Sequence, residues 1–197
     1  KHLAEGHGLV YNIGGERVEG YSSALWMLLT AIGFAFLEQP ATVFLALNVL
    51  LLALTLAYGS RMIDSISSMD AKRAALLPTT TTLLWLAWIL SNPDLYIWYT
   101  TSLMETGLWT ALLLSTFWFM LGLVKTEAIS VRGLAAYATL NALLLLTRPE
   151  AMAWSLYFLA MLGLILRQKG TPWPGLAQRW LPVVAGTGAC LAALIAF

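Results

Sequence analysis

Three short polar segments interrupt an otherwise apolar chain, and each contains residues that could do chemistry. They are "EGHGLVYNIGGERVEGYSSALW" at residues 5–26, "SNPDLYIWYTTSLMETG" at 91–107 and "TRPE" at 147–150. Ionisable groups near an apolar membrane interior are costly, and they usually face a functional cavity. Arginine suits a phosphate group, and a carboxylate suits acid or base work on a hydroxyl. The sequence therefore predicts that the three segments converge on one face of the protein and form a binding site.

Arg148, in the third segment, is the first candidate for binding a substrate. Its planar, permanently charged guanidinium matches a phosphate, and Pro149 in the first turn of the next helix is expected to leave free backbone N–H groups beside it. The phosphate or pyrophosphate of a lipid carrier would fit this position. Two alternatives remain open on the residues alone: Arg148 forms an ion pair with Glu150, or its side chain extends to the lipid headgroups.

Glu105 is the second candidate, because it stands in "METG" directly before a long apolar run. A carboxylate at that place is favoured by the helix dipole, so a simple helix cap is one interpretation. The other is an active-site acid that orients an acceptor hydroxyl or coordinates a divalent metal. The two histidines lack metal-ligand spacing, so no zinc site is predicted.

The first polar segment supplies the remaining candidates for substrate binding: His7, Arg17, Glu19 and Tyr21. An exposed cluster of Glu16, Arg17 and Glu19 would stabilise the protein very little, and His7 could be an ordinary interface residue. The glycines of "GHG" and "GG" do not form a phosphate-binding motif, because no strand precedes them and the spacing is wrong.

The composition predicts an integral membrane protein. Of the 197 residues, 59% are hydrophobic and only 11% are charged, and the mean hydropathy is +0.76. Soluble domains average about 45–50% apolar and about 25% charged residues. The net charge is only +1, so no nucleic-acid partner is predicted. The long uncharged runs predict an all-α fold class, a polytopic transmembrane helical bundle.

About six spans are predicted from the uncharged runs, following an outer loop at residues 1–40. The predicted spans are 41–58, 74–91, 106–124, 133–147, 151–166 and 181–197. Several are marginal, since a spanning helix needs about 20 residues and at least about 17. The 197-residue chain starts at Lys1 and stops inside an apolar run, which predicts that N- and C-terminal parts of a longer protein are missing.

The charges predict the orientation of these spans. Eight of the eleven Lys and Arg residues fall in three loops, which the positive-inside rule places in the cytoplasm: Arg61, Lys72, Arg73, Lys125, Arg132, Arg167, Lys169 and Arg179. Most carboxylates lie in the other connections, which are therefore expected to face outward. Segment 22–37 then becomes a juxtamembrane helix on the outer interface. The alternative is that 22–37 is a span and the first polar segment is cytoplasmic.

The predicted span at 133–147 is too short for a full crossing. Fifteen residues of helix cover about 22 Å, against a hydrocarbon core of about 30 Å. Arg148 and Glu150 are therefore expected below the outer membrane surface, where a polar turn is tolerated only beside protein or a water-filled cavity. This predicts an outward-facing pocket.

Three motifs together resemble the GT-C superfamily of membrane glycosyltransferases, which use polyprenyl-phosphate sugars. "KHLAEGHGLVYNIGGERVEGYSSALW" is similar to their first outer loop, "SLMETG" to an acidic motif of the second outer loop and "LLLLTRPEA" to their "LTRPD/E" turn. Within the superfamily, the sequence pattern most resembles the family 39 mannosyltransferase-like and mycobacterial terminal arabinofuranosyltransferase-like members. The motifs occur in the expected order over most of the chain.

The resemblance implies an enzyme that transfers a sugar, with inversion, from a polyprenyl-phosphate donor to a glycan, lipid or protein acceptor at the outer face of a bacterial cytoplasmic membrane. It implies that Glu105 is the second-loop acid, that Arg148 is a phosphate or cavity residue, and that Glu19 and Tyr21 shape the sugar pocket. Glu150 is a further candidate for substrate binding. In the family the general base is an aspartate early in the first outer loop, which is expected upstream of Lys1.

Two other classes remain open. A transporter or flippase-like protein would use the same outward cavity to bind a substrate without chemistry, and matched broken helices in two repeats would favour it. No convincing pair of such segments is present in the sequence. A structural assembly subunit is favoured if the polar segments do not converge.

Overall fold

The computed structural model describes residues 2–3, 5–8, 12–14, 23–67, 77–170 and 173–196. Within these ranges all regular structure is helical and no strand is present, which confirms the all-α fold class. The helices are α1 (Ala24–Phe36), α2 (Pro40–Ser67), α3 (Leu77–Leu90), α4 (Pro93–Thr101), α5 (Thr106–Lys125), α6 (Val131–Leu145), α7 (Ala151–Gln168) and α8 (Trp173–Ala196).

Three stretches of helix in the described ranges are long and apolar enough to cross a membrane: Pro40–Ser65, Thr106–Lys125 and Ala151–Gln168. They make the chain consistent with an integral membrane protein. Helices α1 and α6 are apolar but have only 13 and 15 residues. A six-span bundle is therefore not established by the helices themselves.

The helix bounds follow the predicted segments closely in some places and depart from them in others. Helices α1, α5, α6 and α7 begin and end within two residues of the predicted limits. Helix α2 continues past the predicted end at 58 to Ser67, through Arg61 and Asp64. Helix α8 begins at Trp173, well before 181, and contains Pro182. Charge ends an apolar run, but it does not end a helix.

The chain forms two compact units, which we call the terminal unit (Lys1–Pro40 with Phe119–Phe197) and the central unit (Ala41–Trp118). In the terminal unit, α6, α7 and α8 pack on one another. The Tyr137 hydroxyl of α6, fully buried, donates to the Phe158 carbonyl of α7 at 2.7 Å. The Trp180 indole of α8 donates to the Leu159 carbonyl at 2.9 Å. Side-chain hydrogen bonds therefore join α6, α7 and α8. Such bonds matter between membrane helices, because the hydrophobic effect does not drive helices together within a bilayer.

Two basic residues of the terminal unit donate hydrogen bonds to backbone carbonyls at and after the end of α5. The Lys169 ammonium, just after α7, donates to the carbonyls of Val124 at 3.1 Å and of Thr126, at the end of α5. A cation at that place stabilises the last carbonyls of a helix and its negative dipole end. Arg179 of α8 donates to the Ile129 carbonyl at 3.4 Å. Two of the three predicted cytoplasmic loops thus lie side by side.

Helix α2 of the central unit has a buried face that contains polar as well as apolar side chains, and an exposed face that is apolar. The buried residues on one side include Asn48 and Thr55, while large apolar side chains on the other side are exposed. The exposed ones are Val43, Leu45, Val49, Leu50 and Leu54. An apolar face of this extent suits contact with lipid.

Candidate functional site

A short helix that the sequence reading missed lies in the middle of the second polar segment. Helix α4 begins with Pro93 at its first position, where the missing N–H costs nothing. After Thr101 the chain turns through Leu103, whose φ of 53° is in the left-handed region that residues with a Cβ rarely adopt. Helix α5 then begins at Thr106. Glu105 therefore lies in a tight connection between two helices rather than in an open loop.

The Glu105 side chain is buried, with only 5% of its surface exposed. Its backbone carbonyl accepts from the Trp109 amide at 2.9 Å, which places Glu105 at the first turn of α5. A carboxylate here lies near the positive end of the helix dipole, in agreement with the capping interpretation. Burial of an acid is also the usual condition of an active-site carboxylate. Both interpretations of Glu105 therefore agree with its position.

Tyr99 of α4 fixes this connection to the neighbouring helices. Its hydroxyl donates to the Gly107 carbonyl of α5 at 2.9 Å and lies 2.8 Å from the Thr55 hydroxyl of α2. The single Thr55 O–H can donate either to the Leu51 carbonyl, also at 2.8 Å, or to the Tyr99 oxygen. Burial raises the pKa of the Tyr99 phenol, so the phenol stays protonated and remains a donor. These hydrogen bonds thus join α2, α4 and α5 at Gly107, which is two residues after Glu105 in the sequence.

Asn48 lies beside the same turn and is fully buried. A Cβ added to Gly107 would come within 3.1 Å of the Asn48 side-chain oxygen and 3.1 Å of the Tyr99 ring. Neither polar atom of the Asn48 amide has a hydrogen-bond partner within the described part of the chain. Buried amides are normally paired, so Asn48 marks a polar position of the kind that serves a ligand or an ordered water.

A cavity of about 1020 Å³ opens in the central unit beside this turn. Its apolar wall includes Trp85 and Trp98, and its polar groups include Asp94, Thr106 and Thr110. Aromatic faces combined with a few polar groups are the usual lining of a small-molecule site. Much of this lining comes from the second polar segment, but none of the lining residues is a predicted site residue. Thr106 is the lining residue that directly follows the candidate Glu105 in the sequence. The pairing of Trp98 with Asp94 at one helical turn was the signal that could have found it.

The "TRPE" turn is ordered in the terminal unit, between α6 and α7. The Arg148 guanidinium lies 3.7 Å from the Glu150 carboxylate, so the ion-pair alternative is the one observed. Glu150 is exposed, and such a pair contributes little to stability. The first amides of α7, at 151–153, donate to the carbonyls three residues earlier at 3.0–3.3 Å. The prediction of free N–H groups beside Pro149 is therefore wrong for the amides at 151–153, because each of them donates to a carbonyl of the turn.

The start of α1 is bound to the same turn. The Leu25 amide donates to the Leu146 carbonyl at 2.9 Å, and Ser23 caps α1 by accepting from the Trp26 amide at 3.2 Å. Trp26 is buried. The end of the first polar segment and the "TRPE" turn are therefore neighbours, as convergence of these two segments requires.

The other candidates of the first polar segment are only partly described. His7 is exposed in a glycine-rich turn, where its amide donates to the His2 carbonyl at 2.9 Å and the two imidazole rings stack edge to face. Arg17, Glu19 and Tyr21 lie outside the described residues. The described ranges hold no group of three or more His, Cys, Asp or Glu residues that could bind a metal. Arg148, Glu150 and His7 belong to the terminal unit, and Glu105 belongs to the central unit.

Comparison with known proteins returned nothing: no family model, no curated protein and no solved structure matches this chain. The class defined by the fold is thus a helical protein consistent with an integral membrane location.

Proposed function

We propose that this chain belongs to a membrane glycosyltransferase of the GT-C type, which moves a sugar from a polyprenyl-phosphate donor to a glycan, lipid or protein acceptor. The proposal includes the six predicted spans, a bacterial cytoplasmic membrane and an outward-facing site. It also includes an upstream aspartate as general base, as the resemblance of the three motifs implies. Glu105 acts as the second acid, and Arg148 stabilises the departing lipid phosphate.

The observation that carries the proposal is the cavity of the central unit. Its volume of about 1020 Å³ is at the upper end of the range of about 300–1000 Å³ found for ligand sites. The Trp98 indole can pack on the apolar C–H face of a sugar ring, while the Asp94 carboxylate and threonine hydroxyls can bind its hydroxyl groups. The buried Glu105 carboxylate lies next in sequence to Thr106 of the cavity wall. A sugar has both kinds of surface, so this lining, which is mainly apolar with a few polar groups, is compatible with a sugar.

Arg148 supports the proposal through its place in the terminal unit. About a third of its side chain is exposed, and the guanidinium lies 3.7 Å from the Glu150 carboxylate. A partly exposed guanidinium can bind a phosphate through two parallel N–H groups. The first polar segment reaches the same turn through the bond between Leu25 and Leu146.

Transfer of labelled sugar from a polyprenyl-phosphate donor, measured with the full-length protein in proteoliposomes, tests the roles of the charges. Glu105→Gln and Arg148→Ala are each expected to lower kcat by about 10²-fold or more. Glu127→Gln and Arg132→Ala are the matched controls, because both residues are exposed in the connection after α5 or the first turn of α6. Undiminished transfer in both Glu105→Gln and Arg148→Ala contradicts the proposed roles.

Two tryptophans of nearly equal exposure test the cavity. Trp98 lines it and is 62% exposed, whereas Trp88 is 64% exposed and is not part of its wall. Trp98→Ala is expected to raise the KM for donor or acceptor about tenfold, or about 1.4 kcal/mol, and Trp88→Ala is expected to leave it unchanged. Tight substrate binding without any transfer by the full-length protein favours the transporter alternative instead.

A further inference from the structure

We propose that a groove between α7 and α8 binds one anionic phospholipid, with its phosphate at Arg167 and an acyl chain along the helices. The groove has a volume of about 490 Å³ and belongs entirely to the terminal unit. It is a different cavity from the one assigned to sugar. The inference depends on the membrane location of the chain and is independent of the proposed transferase function.

One side of the groove is a single face of α7. Ala160, Gly163, Leu164 and Arg167 line it, and their spacing of three or four residues places them one above another. The eight residues from Ala160 to Arg167 extend about 10 Å along the helix. Ala160 and Gly163 are small, so the face is hollow, and Leu164 is exposed. A hollow apolar face on a candidate span is open to the acyl chains of the bilayer.

The other side is the start of α8. Ala177, Trp180 and Leu181 line it, again at helical spacing. The Trp180 ring is fixed because its N–H donates to the Leu159 carbonyl, and a Cβ on Gly163 would meet the indole at 3.5 Å. Leu181 is exposed on the outer side. The groove is therefore a rigid slot with an aromatic wall rather than a gap that side chains could close.

The charge at the mouth of the groove selects the headgroup. Arg167 is the one charged residue among the described groove-lining residues, and it lies exposed in the last turn of α7. The two loops that meet at this end, with the helix ends beside them, carry one carboxylate, that of Glu127, and five cations. The cations are Lys125, Arg132, Arg167, Lys169 and Arg179. Lys169 and Arg179 also donate to backbone carbonyls at this end, and their charges add to the positive field there. An anionic headgroup over an apolar tail is complementary to this arrangement, and a zwitterionic headgroup is much less so.

Native mass spectrometry of the full chain in detergent, with phosphatidylglycerol or phosphatidylcholine of identical acyl chains, tests the proposal. We expect one phosphatidylglycerol molecule to be retained in preference to phosphatidylcholine. Arg167→Gln is expected to weaken phosphatidylglycerol binding about fivefold, which is the effect of one basic residue near a lipid surface. Ala160→Leu, which fills the groove from an exposed position, is expected to weaken the binding of both lipids.

Two controls make the result specific. Arg132→Gln removes the same charge from the same basic end without touching the groove, and Ala153→Leu adds the same side chain to an exposed position on α7 outside it. Both are expected to bind phosphatidylglycerol like the unaltered chain, with unchanged helix content by circular dichroism. Equal losses for Arg132→Gln and Arg167→Gln would show general attraction by the basic loops and overturn the proposal. So would equal retention of the two lipids, or unchanged binding by Ala160→Leu.

Discussion

Tyr99→Phe is a sharp test of how the central unit holds the connection that contains Glu105. The phenylalanine keeps the buried ring and removes one oxygen. That oxygen donates to the Gly107 carbonyl at 2.9 Å and lies 2.8 Å from the Thr55 hydroxyl. Thr55 keeps its bond to the Leu51 carbonyl, whereas the Gly107 carbonyl loses its side-chain donor. We therefore expect the variant to fold but to be less stable.

The size of the loss follows from these partners. A neutral hydrogen bond contributes about 0.5–1.5 kcal/mol net, and side-chain hydrogen bonds between membrane helices average about 0.6 kcal/mol with a maximum near 1.7. Two contacts share one hydroxyl, and one of the partners, Thr55, remains bonded elsewhere. The free energy of unfolding should therefore fall by about 1 kcal/mol.

Reversible unfolding in mixed detergent, followed by far-UV circular dichroism, measures this loss. Tyr96→Phe is the control, because Tyr96 is in the same helix and its hydroxyl makes no hydrogen bond within the described ranges. It should change stability by less than about 0.5 kcal/mol. A double-mutant cycle with Thr55→Val should give a coupling of about 0.5 kcal/mol or more. Equal effects of the two Phe variants, or strict additivity in the cycle, would refute the assigned hydrogen bonds.

Three further predictions concern stability. Burial raises the pKa of Tyr99, so the stability that this residue contributes is present below its unfolded pKa of about 10 and is lost as the pH rises through the folded pKa. In unfolding measurements at alkaline pH, the free energy of unfolding should therefore decline less in Tyr99→Phe than in the unaltered chain. Lys169→Met removes the cation from the carbonyls that end α5, and the measured free energy of unfolding should fall by about 0.5–1 kcal/mol. Gly59→Ala puts a Cβ at 2.4 Å from the Trp85 ring and should destabilise by about 1–3 kcal/mol, whereas Gly122→Ala meets open space and should stabilise by up to about 1 kcal/mol in the same assay.

The apolar pattern predicted the helices well where an uncharged run and a helix coincide. Helix α5 was predicted at 106–124 and occupies Thr106–Lys125, and α7 was predicted at 151–166 and occupies Ala151–Gln168. The same pattern failed for α2, because Arg61 and Asp64 are compatible with a helix although they are unfavourable in lipid. Hydropathy reports where a bilayer is tolerated, and it reports helix ends only where caps or turns coincide with the charges.

Helix α4 shows a different limit. Its nine residues are too few for an apolar period to emerge, and the segment was read as a loop because it is polar. Asn92–Pro93 was nevertheless a start signal, since proline is favoured in the first turn of a helix. The cavity beside α4 was not predicted either, because Trp98 and Asp94 face the same cavity only when the segment is helical.

The candidate site was predicted through its charges, and charge was an incomplete guide. Glu105 is buried, but the residues that fix its surroundings are uncharged: Tyr99, Thr55 and Asn48. A hydropathy scale gives Asn and Thr little weight against many leucines, although in an apolar interior each must find a partner and therefore constrains its neighbours. Asn48 and Thr55 stand seven residues apart on α2, so they share one face, and Gly59 continues it one turn later. A stripe of small or polar residues along a predicted span is thus the sequence signal for its packed face, and here that stripe leads to the connection that holds Glu105.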